Sequence, residues 1–144
     1  MKTVIIGIGN PLKRDDNIGN CLVEELSKEV KDKDYVFIKA YLTPENYLLP
    51  LKKSKPKRIY VIDAVEFEGS TGEVKLFDLN EMITSKTTTH SIPITFYKHY
   101  FPGVEIKLIG VKVKDAGFGE ELSKDVKAKF DGIVKEVKRI IISQ

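Results

Sequence analysis

The chain has 144 residues, of which 42% are hydrophobic and 31% are charged, and its formal net charge is +3. This composition is typical of a soluble protein, and the length predicts one domain, residues 1–144, with its own core. No apolar run approaches the ~20 residues of a membrane span, and we expect no signal peptide, because Met1-Lys2 leads directly into the first apolar segment. The basic residues lack interleaved aromatic residues, so we expect neither a membrane nor a nucleic acid as partner.

A single cysteine, Cys21, rules out an intramolecular disulfide. It falls inside the first predicted helix, near the apolar stripe, which favours a buried reduced thiol over a nucleophile. We therefore expect a reducing compartment, the cytoplasm.

The first apolar segment, residues 3–6, shows no alternation and predicts a strand buried on both faces of a parallel sheet. A turn rich in glycine follows it, and Asp15 and Asp16 then precede a helix. The apolar stripe of that helix comprises Ile18, Leu22, Leu26 and Val30. Asp15, Asp16 or Asn17 could simply cap the helix, or an acid there could serve as a base or metal ligand.

The middle of the chain continues the alternation of strands and helices. We predict a strand over residues 35–40 and a short helix that opens at Thr43-Pro44. A basic loop, residues 52–58, then leads into an apolar strand over residues 59–65 that contains Asp63. A buried, unpaired carboxylate costs several kcal/mol in order of magnitude, so Asp63 requires a function or a partner.

The last third begins with a short edge strand over residues 74–77 and a polar stretch that ends at His90. Ser91 and Pro93 predict a helix that starts there and extends to about His99. A strand over residues 104–111 and an amphipathic helix over residues 120–142 complete the pattern.

Alternating strands and helices predict an α/β sandwich with right-handed crossovers. If the first strand lies between the second and third, the topological switch point falls between the first and third strands. Asp16 follows the first strand, Asp63 ends the third, and His90 could close the same crevice. Two carboxylates and one imidazole suit a divalent metal such as nickel or zinc, although His90 could also make a single loop hydrogen bond.

Other chemistries are disfavoured by the residues themselves. Gly7-Ile8-Gly9 lacks the third glycine of a dinucleotide fingerprint, and the second strand ends without the acid that would hold a ribose. No Gly-x-Ser-x-Gly motif is present, so a serine nucleophile has no support.

Three motifs carry a family resemblance. Gly7-Ile8-Gly9-Asn10-Pro11-Leu12 with Asp15-Asp16 and Gly19, then Val61-Ile62-Asp63-Ala64, then Thr88-Thr89-His90 are similar to the motifs of the hydrogenase maturation endopeptidases. Their order and spacing match over essentially the whole chain. Thr89-His90 and Thr43-Pro44-Glu45-Asn46 resemble the subgroup that processes hydrogenase 3 and the deazaflavin-reducing hydrogenases of methanogens.

The resemblance implies an enzyme that removes the C-terminal extension of the precursor of a [NiFe] hydrogenase large subunit after nickel insertion. It implies that Asp16, Asp63 and His90 contact nickel supplied by the substrate, with no resident organic cofactor. It also implies a three-layer α/β/α sandwich whose five-stranded sheet has one antiparallel strand. Because such an enzyme meets its substrate transiently, we expect a monomer.

One departure and two alternatives accompany this interpretation. Many members have Asp-Gly-Gly after the second strand, where this chain has Ala40-Tyr41-Leu42. Peptidyl-tRNA hydrolases also open with a strand and Gly-x-Gly-Asn-Pro, but they follow it with a histidine where this chain has Asp16-Asn17. A non-enzymatic nickel or zinc carrier could use the same three residues.

Overall fold

A five-stranded sheet is the centre of the computed structural model, which describes residues 2–78 and 94–143. Its strands are β1 (Lys2–Ile8), β2 (Tyr35–Tyr41), β3 (Pro56–Ala64), β4 (Val74–Phe77) and β5 (Glu105–Val111). The spatial order is β2-β1-β3-β5-β4, with all pairs parallel except β4 with β5. The first strand therefore lies between the second and third, which is the arrangement that places the switch point between β1 and β3.

Helices cover both faces of this sheet. Within the described residues they are α1 (Ile18–Glu29), α2 (Leu48–Lys53), α3 (Ile94–Tyr100) and α4 (Lys124–Ile142), with 3-10 turns at Arg14–Asn17 and Pro44–Tyr47. Ile5 packs with side chains of α1 and α4, whereas its neighbours Val4 and Ile6 pack with side chains of α2 and α3. Successive residues of β1 thus enter different cores, which explains why the strand is apolar without alternation. The predicted three-layer sandwich is confirmed.

The first helix begins directly after Asn17, one of the three predicted caps, whereas the start of the last helix was predicted four residues too early. The acids before α1 lie inside a 3-10 turn, and Asn17 occupies the N-cap position without a side-chain capping bond. The last helix begins at Lys124 rather than at residue 120, because Ser123 caps it by accepting the Val126 N–H at 3.3 Å. The predicted start of the preceding helix at Ser91 and Pro93 lies outside the described residues.

Across residues 2–78 and 94–143, no helix combines the length and the apolar character that crossing a membrane requires.

Candidate active site

The turn between β1 and α1 holds Asp16 at the carboxyl end of β1. The Asn10 side chain accepts the Leu12 N–H at 2.9 Å, and the Asp16 N–H donates to the Lys13 carbonyl at 2.9 Å. The Asp16 carboxylate in turn accepts the Asn10 N–H at 3.0 Å. Asp16 is only 5% exposed. Its side chain therefore folds back onto the turn that precedes it instead of capping the helix.

The start of α1 is pressed against the ends of β1 and β3. A Cβ atom at Gly19 would lie 2.3 Å from the Ile62 carbonyl oxygen and 2.5 Å from the Ile8 carbonyl oxygen. A Cβ atom at Gly7 would lie 2.4 Å from the Gly19 carbonyl oxygen. These glycines thus permit close contact between the helix and the two strands. As a result, the turn that carries Asp16 lies beside the residue that precedes Asp63.

Asp63 is the penultimate residue of β3 and is 1% exposed. One of its carboxylate oxygens accepts the Ala64 N–H at 2.8 Å, and in the sheet the residue stands opposite Gly110 of β5. Burial of a carboxylate at a strand end is expensive and is uncommon without a role. Asp16 follows the carboxyl end of β1, and Asp63 lies at the carboxyl end of β3. Both therefore lie at the switch point between these strands, where folds of this kind bind ligands.

The third predicted site residue, His90, lies outside the described residues. Among residues 2–78 and 94–143, no three His, Cys, Asp or Glu side chains come together as a metal site. The other histidine, His99, is exposed in the last turn of α3, where its ring meets Tyr100 edge to face. The assignment of Asp16, Asp63 and His90 to one site remains a prediction.

Asp15 has a role that sequence reasoning missed. It is fully buried, and its carboxylate accepts the N–H groups of Lys114, Asp115 and Ser123 at 2.7 to 3.1 Å and the Ser123 hydroxyl at 2.7 Å. All these donors belong to residues 112–123, which connect β5 to α4 and which we call the arm. The first acid of the pair therefore fixes the arm to the turn between β1 and α1 that carries Asp16, which we call the Asp16 turn.

Asn20 is a second residue whose role was not predicted. It is 2% exposed, and its side-chain amide donates to the Gly9 carbonyl at 3.1 Å and accepts the Tyr41 N–H at 3.2 Å. It thereby joins the exit of β1 to the exit of β2. Tyr41 adopts a φ of 52°, a left-handed conformation that is uncommon for a residue other than glycine.

Exposed apolar side chains occur at or shortly after the carboxyl ends of β1, β2 and β5. Leu12, Tyr41, Leu42 and Phe118 are 57%, 40%, 49% and 84% exposed, respectively. Tyr41 and Leu42 belong to the segment that departs from the family's Asp-Gly-Gly pattern. The surface around the buried acids is thus partly apolar, as expected for a surface that binds another protein.

Cys21 does not have the environment of a nucleophile. It is partly exposed, not buried as predicted, and its sulfur accepts a long contact of 3.6 Å from the Asn17 amide. Burial, followed by the charge of Glu24, raises the pKa of the thiol above its usual value. A raised thiol pKa disfavours the thiolate that would attack a substrate.

Comparisons with known proteins agree with this arrangement. The hydrogenase maturation protease family HycI matches residues 21–140. A Methanocaldococcus jannaschii protein assigned to the hydrogenase maturation proteases is 33% identical over 150 residues, which cover 97% of this chain and 88% of the relative. The hydrogenase 3 maturation protease of Escherichia coli K12 is 24% identical over 130 residues, which cover 88% and 83% of the two chains.

The fold agrees as well. The crystal structure of a [NiFe] hydrogenase maturation protease, HycI from Thermococcus kodakarensis, superposes with a TM-score of 0.81 at 29% identity and covers 96% of this chain and 91% of its own. These similarities select a peptide hydrolase over the peptidyl-tRNA hydrolase and metal-carrier alternatives. A chain that shares the sequence of these proteases over nearly its whole length, and their mixed five-stranded sheet, belongs to the hydrogenase maturation protease family.

Proposed function

We propose that this protease removes the C-terminal extension of the large-subunit precursor of a [NiFe] hydrogenase once nickel has been inserted. In this proposal Asp16, Asp63 and His90 contact the nickel, which is part of the substrate and not a resident cofactor. The observation that carries the proposal is the burial of Asp16 and Asp63 at adjoining ends of β1 and β3. The name of the Thermococcus relative, a [NiFe] hydrogenase maturation protease, supports the choice of substrate.

The donor set explains why the metal would arrive with the precursor. Two carboxylates and one imidazole form a weaker site for nickel or zinc than a closed set of thiolates and histidines. Thiolates of the precursor would add soft donors and fix the geometry around the same ion. The enzyme alone should therefore purify largely without metal, and cleavage would report that nickel insertion is complete.

Two chemical routes remain compatible with these residues. In the first, nickel polarises the scissile carbonyl while Asp16 and Asp63 hold the ion in place. In the second, one of the two carboxylates takes a proton from the attacking water, and the metal only positions the peptide. Both routes require the ionised carboxylates, because a protonated carboxyl group neither binds the metal well nor accepts a proton from water.

The test compares nickel-loaded and nickel-free precursor with metal-stripped enzyme. We expect the loaded precursor to be cut at least about a hundred times faster, as measured by mass spectrometry of the released peptide, since loss of metal contacts costs this much or more. The Asp16→Asn variant is the control for contaminating proteases. Equal cleavage of both precursors, or a tightly held stoichiometric metal in the enzyme alone, would contradict the proposal.

Two accompanying expectations concern the state of the enzyme. We propose that it acts as a monomer in the cytoplasm, because a transient encounter with a folded precursor requires an open edge and because its single cysteine provides no disulfide. Light scattering at low protein concentration measures whether the enzyme is a monomer. An obligate dimer that covers the Asp16 edge would contradict it.

A further inference from the structure

Phe118 is the most exposed large apolar side chain among the described residues, at 84%. It lies in the arm, residues 112–123. An isolated exposed hydrophobic residue is ordinary and needs no explanation. Phe118 differs because the backbone beside it is held in place and because a second exposed apolar residue lies next to it.

The backbone next to Phe118 is paired with the Asp16 turn. The Arg14 N–H donates to the Gly119 carbonyl at 2.9 Å, and the Gly119 N–H donates to the Leu12 carbonyl at 2.9 Å. The buried carboxylate of Asp15 holds both ends of the same arm. A side chain presented on such a fixed backbone loses less conformational freedom on binding than one on a free loop.

Leu12 is the second exposed residue, at 57%. It directly precedes Lys13, which forms a parallel bridge with Gly119, so Leu12 and Phe118 each adjoin the paired segment. Leu12 is also four positions before Asp16 on the same turn. The structure therefore places two exposed apolar residues next to each other and next to the candidate catalytic carboxylate.

We propose that Phe118, together with Leu12, is a specificity-determining contact that binds an apolar surface of the hydrogenase large-subunit precursor beside the cleavage site. This inference rests on the proposed function and adds to it the surface by which the precursor is held. Aromatic residues, phenylalanine included, are enriched at protein interfaces, and a preorganised backbone lowers the entropy cost of binding. The contact would contribute to binding before cleavage and leave the chemistry itself unchanged.

A second copy of this chain is the competing occupant. A dimer formed through Phe118 and Leu12 would bring the partner's bulk over the turn that carries Asp16. That arrangement would obstruct the access that a protease needs to a folded precursor. The precursor is therefore the occupant that fits both the exposed residues and their position.

The test is the steady-state cleavage of nickel-loaded precursor by Phe118→Ala. We expect KM to rise about tenfold with kcat unchanged, because truncation of an interface anchor removes binding shared by substrate and transition state. Leu12→Ala should raise KM by a smaller factor, and Phe118→Leu should recover part of the loss. Ile142→Ala is the matched control, because Ile142 is 46% exposed at the far end of α4 and should show wild-type kinetics.

The outcomes separate this inference from the proposed function. Failure of the wild-type enzyme to cut the precursor would refute the proposed function, and this inference with it. Normal cleavage by wild type together with an unchanged KM for Phe118→Ala would refute the inference alone. A fall in kcat without a rise in KM, an equal effect of Ile142→Ala, or a wild-type dimer that dissociates on Phe118→Ala would refute it as well.

Discussion

Buried acids occur at one end of the parallel strands and an exposed ion pair at the other. At the carboxyl ends of the parallel strands, which we call the carboxyl edge, Asp15, Asp16 and Asp63 are all at most 5% exposed. At the amino ends of the same strands, the amino edge, Arg58 pairs with Glu105 at 2.6 Å, and the Glu105 side chain remains 40% exposed. Water solvates and screens the charges of the amino edge, whereas those of the carboxyl edge depend on hydrogen bonds supplied by the protein.

The burial of acids is energetically unfavourable, and the chain tolerates it at the carboxyl edge. Substitution of an exposed ion pair changes stability little, so such a pair says little about function. A buried acid must serve either the fold or the chemistry. Asp15 serves the fold through its four donors in the arm. Asp16 and Asp63 are the acids for which we propose the chemistry.

The largest expected effect is the loss of activity on substitution of the two candidate catalytic acids. Asp16→Asn and Asp63→Asn should each reduce kcat/KM for nickel-loaded precursor at least about a thousandfold, equivalent to roughly 4 kcal/mol of transition-state stabilisation. Urea unfolding should show a much smaller change, because the amide is nearly the same size as the carboxylate. Near wild-type processing by either variant would remove that residue from the site.

The next largest effect should follow from Asp15→Ala. The substitution leaves three backbone N–H groups and one hydroxyl without their acceptor, and we expect the free energy of unfolding to fall by about 3 kcal/mol. Glu120→Ala is the control, an exposed acid of the same arm, and should change stability by less than about 0.5 kcal/mol. Equal effects of the two substitutions in urea unfolding would mean that Asp15 does not anchor the arm.

Asp15 also marks the limit of what the sequence could predict. The strands and the positions of Asp16 and Asp63 near strand ends follow from apolar runs, which are properties of local segments, whereas the strand order entered only as a condition and the antiparallel strand only through the family resemblance. The donors to Asp15 lie 99 to 108 residues further along the chain, and no local pattern connects them. Asn20 was missed for the same reason, since its value lies in joining β1 to β2. The start of α4 was misplaced because the apolar stripe extends to Leu122, which packs against the core from outside the helix.

A third prediction tests how closely α1 approaches the carboxyl edge. Gly19→Ala should lower the free energy of unfolding by about 2 kcal/mol, because the new methyl group meets the Ile62 and Ile8 carbonyl oxygens. Gly132→Ala, inside α4, meets no atom within 4 Å and should raise it by about 0.5 to 1 kcal/mol. Thermal unfolding of both variants measures the contrast. The same sign for the two substitutions would contradict the close packing.

The smallest expected effect is at the amino edge, where Glu105 is hydrogen-bonded to Arg58. That hydrogen bond, with a second from Lys107, holds the pKa of Glu105 below its usual value. A carboxylate whose pKa is depressed by folding stabilises the protein above its unfolded pKa of about 4.3, and the contribution is lost as pH falls through the folded pKa.

Glu105→Gln should therefore lower the free energy of unfolding at pH 7 and have little effect at a pH below both the folded and the unfolded pKa of Glu105, where the glutamate is protonated in both states. Because the Glu105 side chain is 40% exposed, solvent screening keeps the difference at pH 7 below about 1 kcal/mol. Urea unfolding of wild type and variant at both pH values measures it, with Glu120→Gln as an exposed control that should show no difference. A loss of equal size at both pH values would show that packing, and not the charge of Glu105, is responsible. A loss of several kcal/mol at pH 7 would show that the amino edge depends on its charges as strongly as the carboxyl edge does.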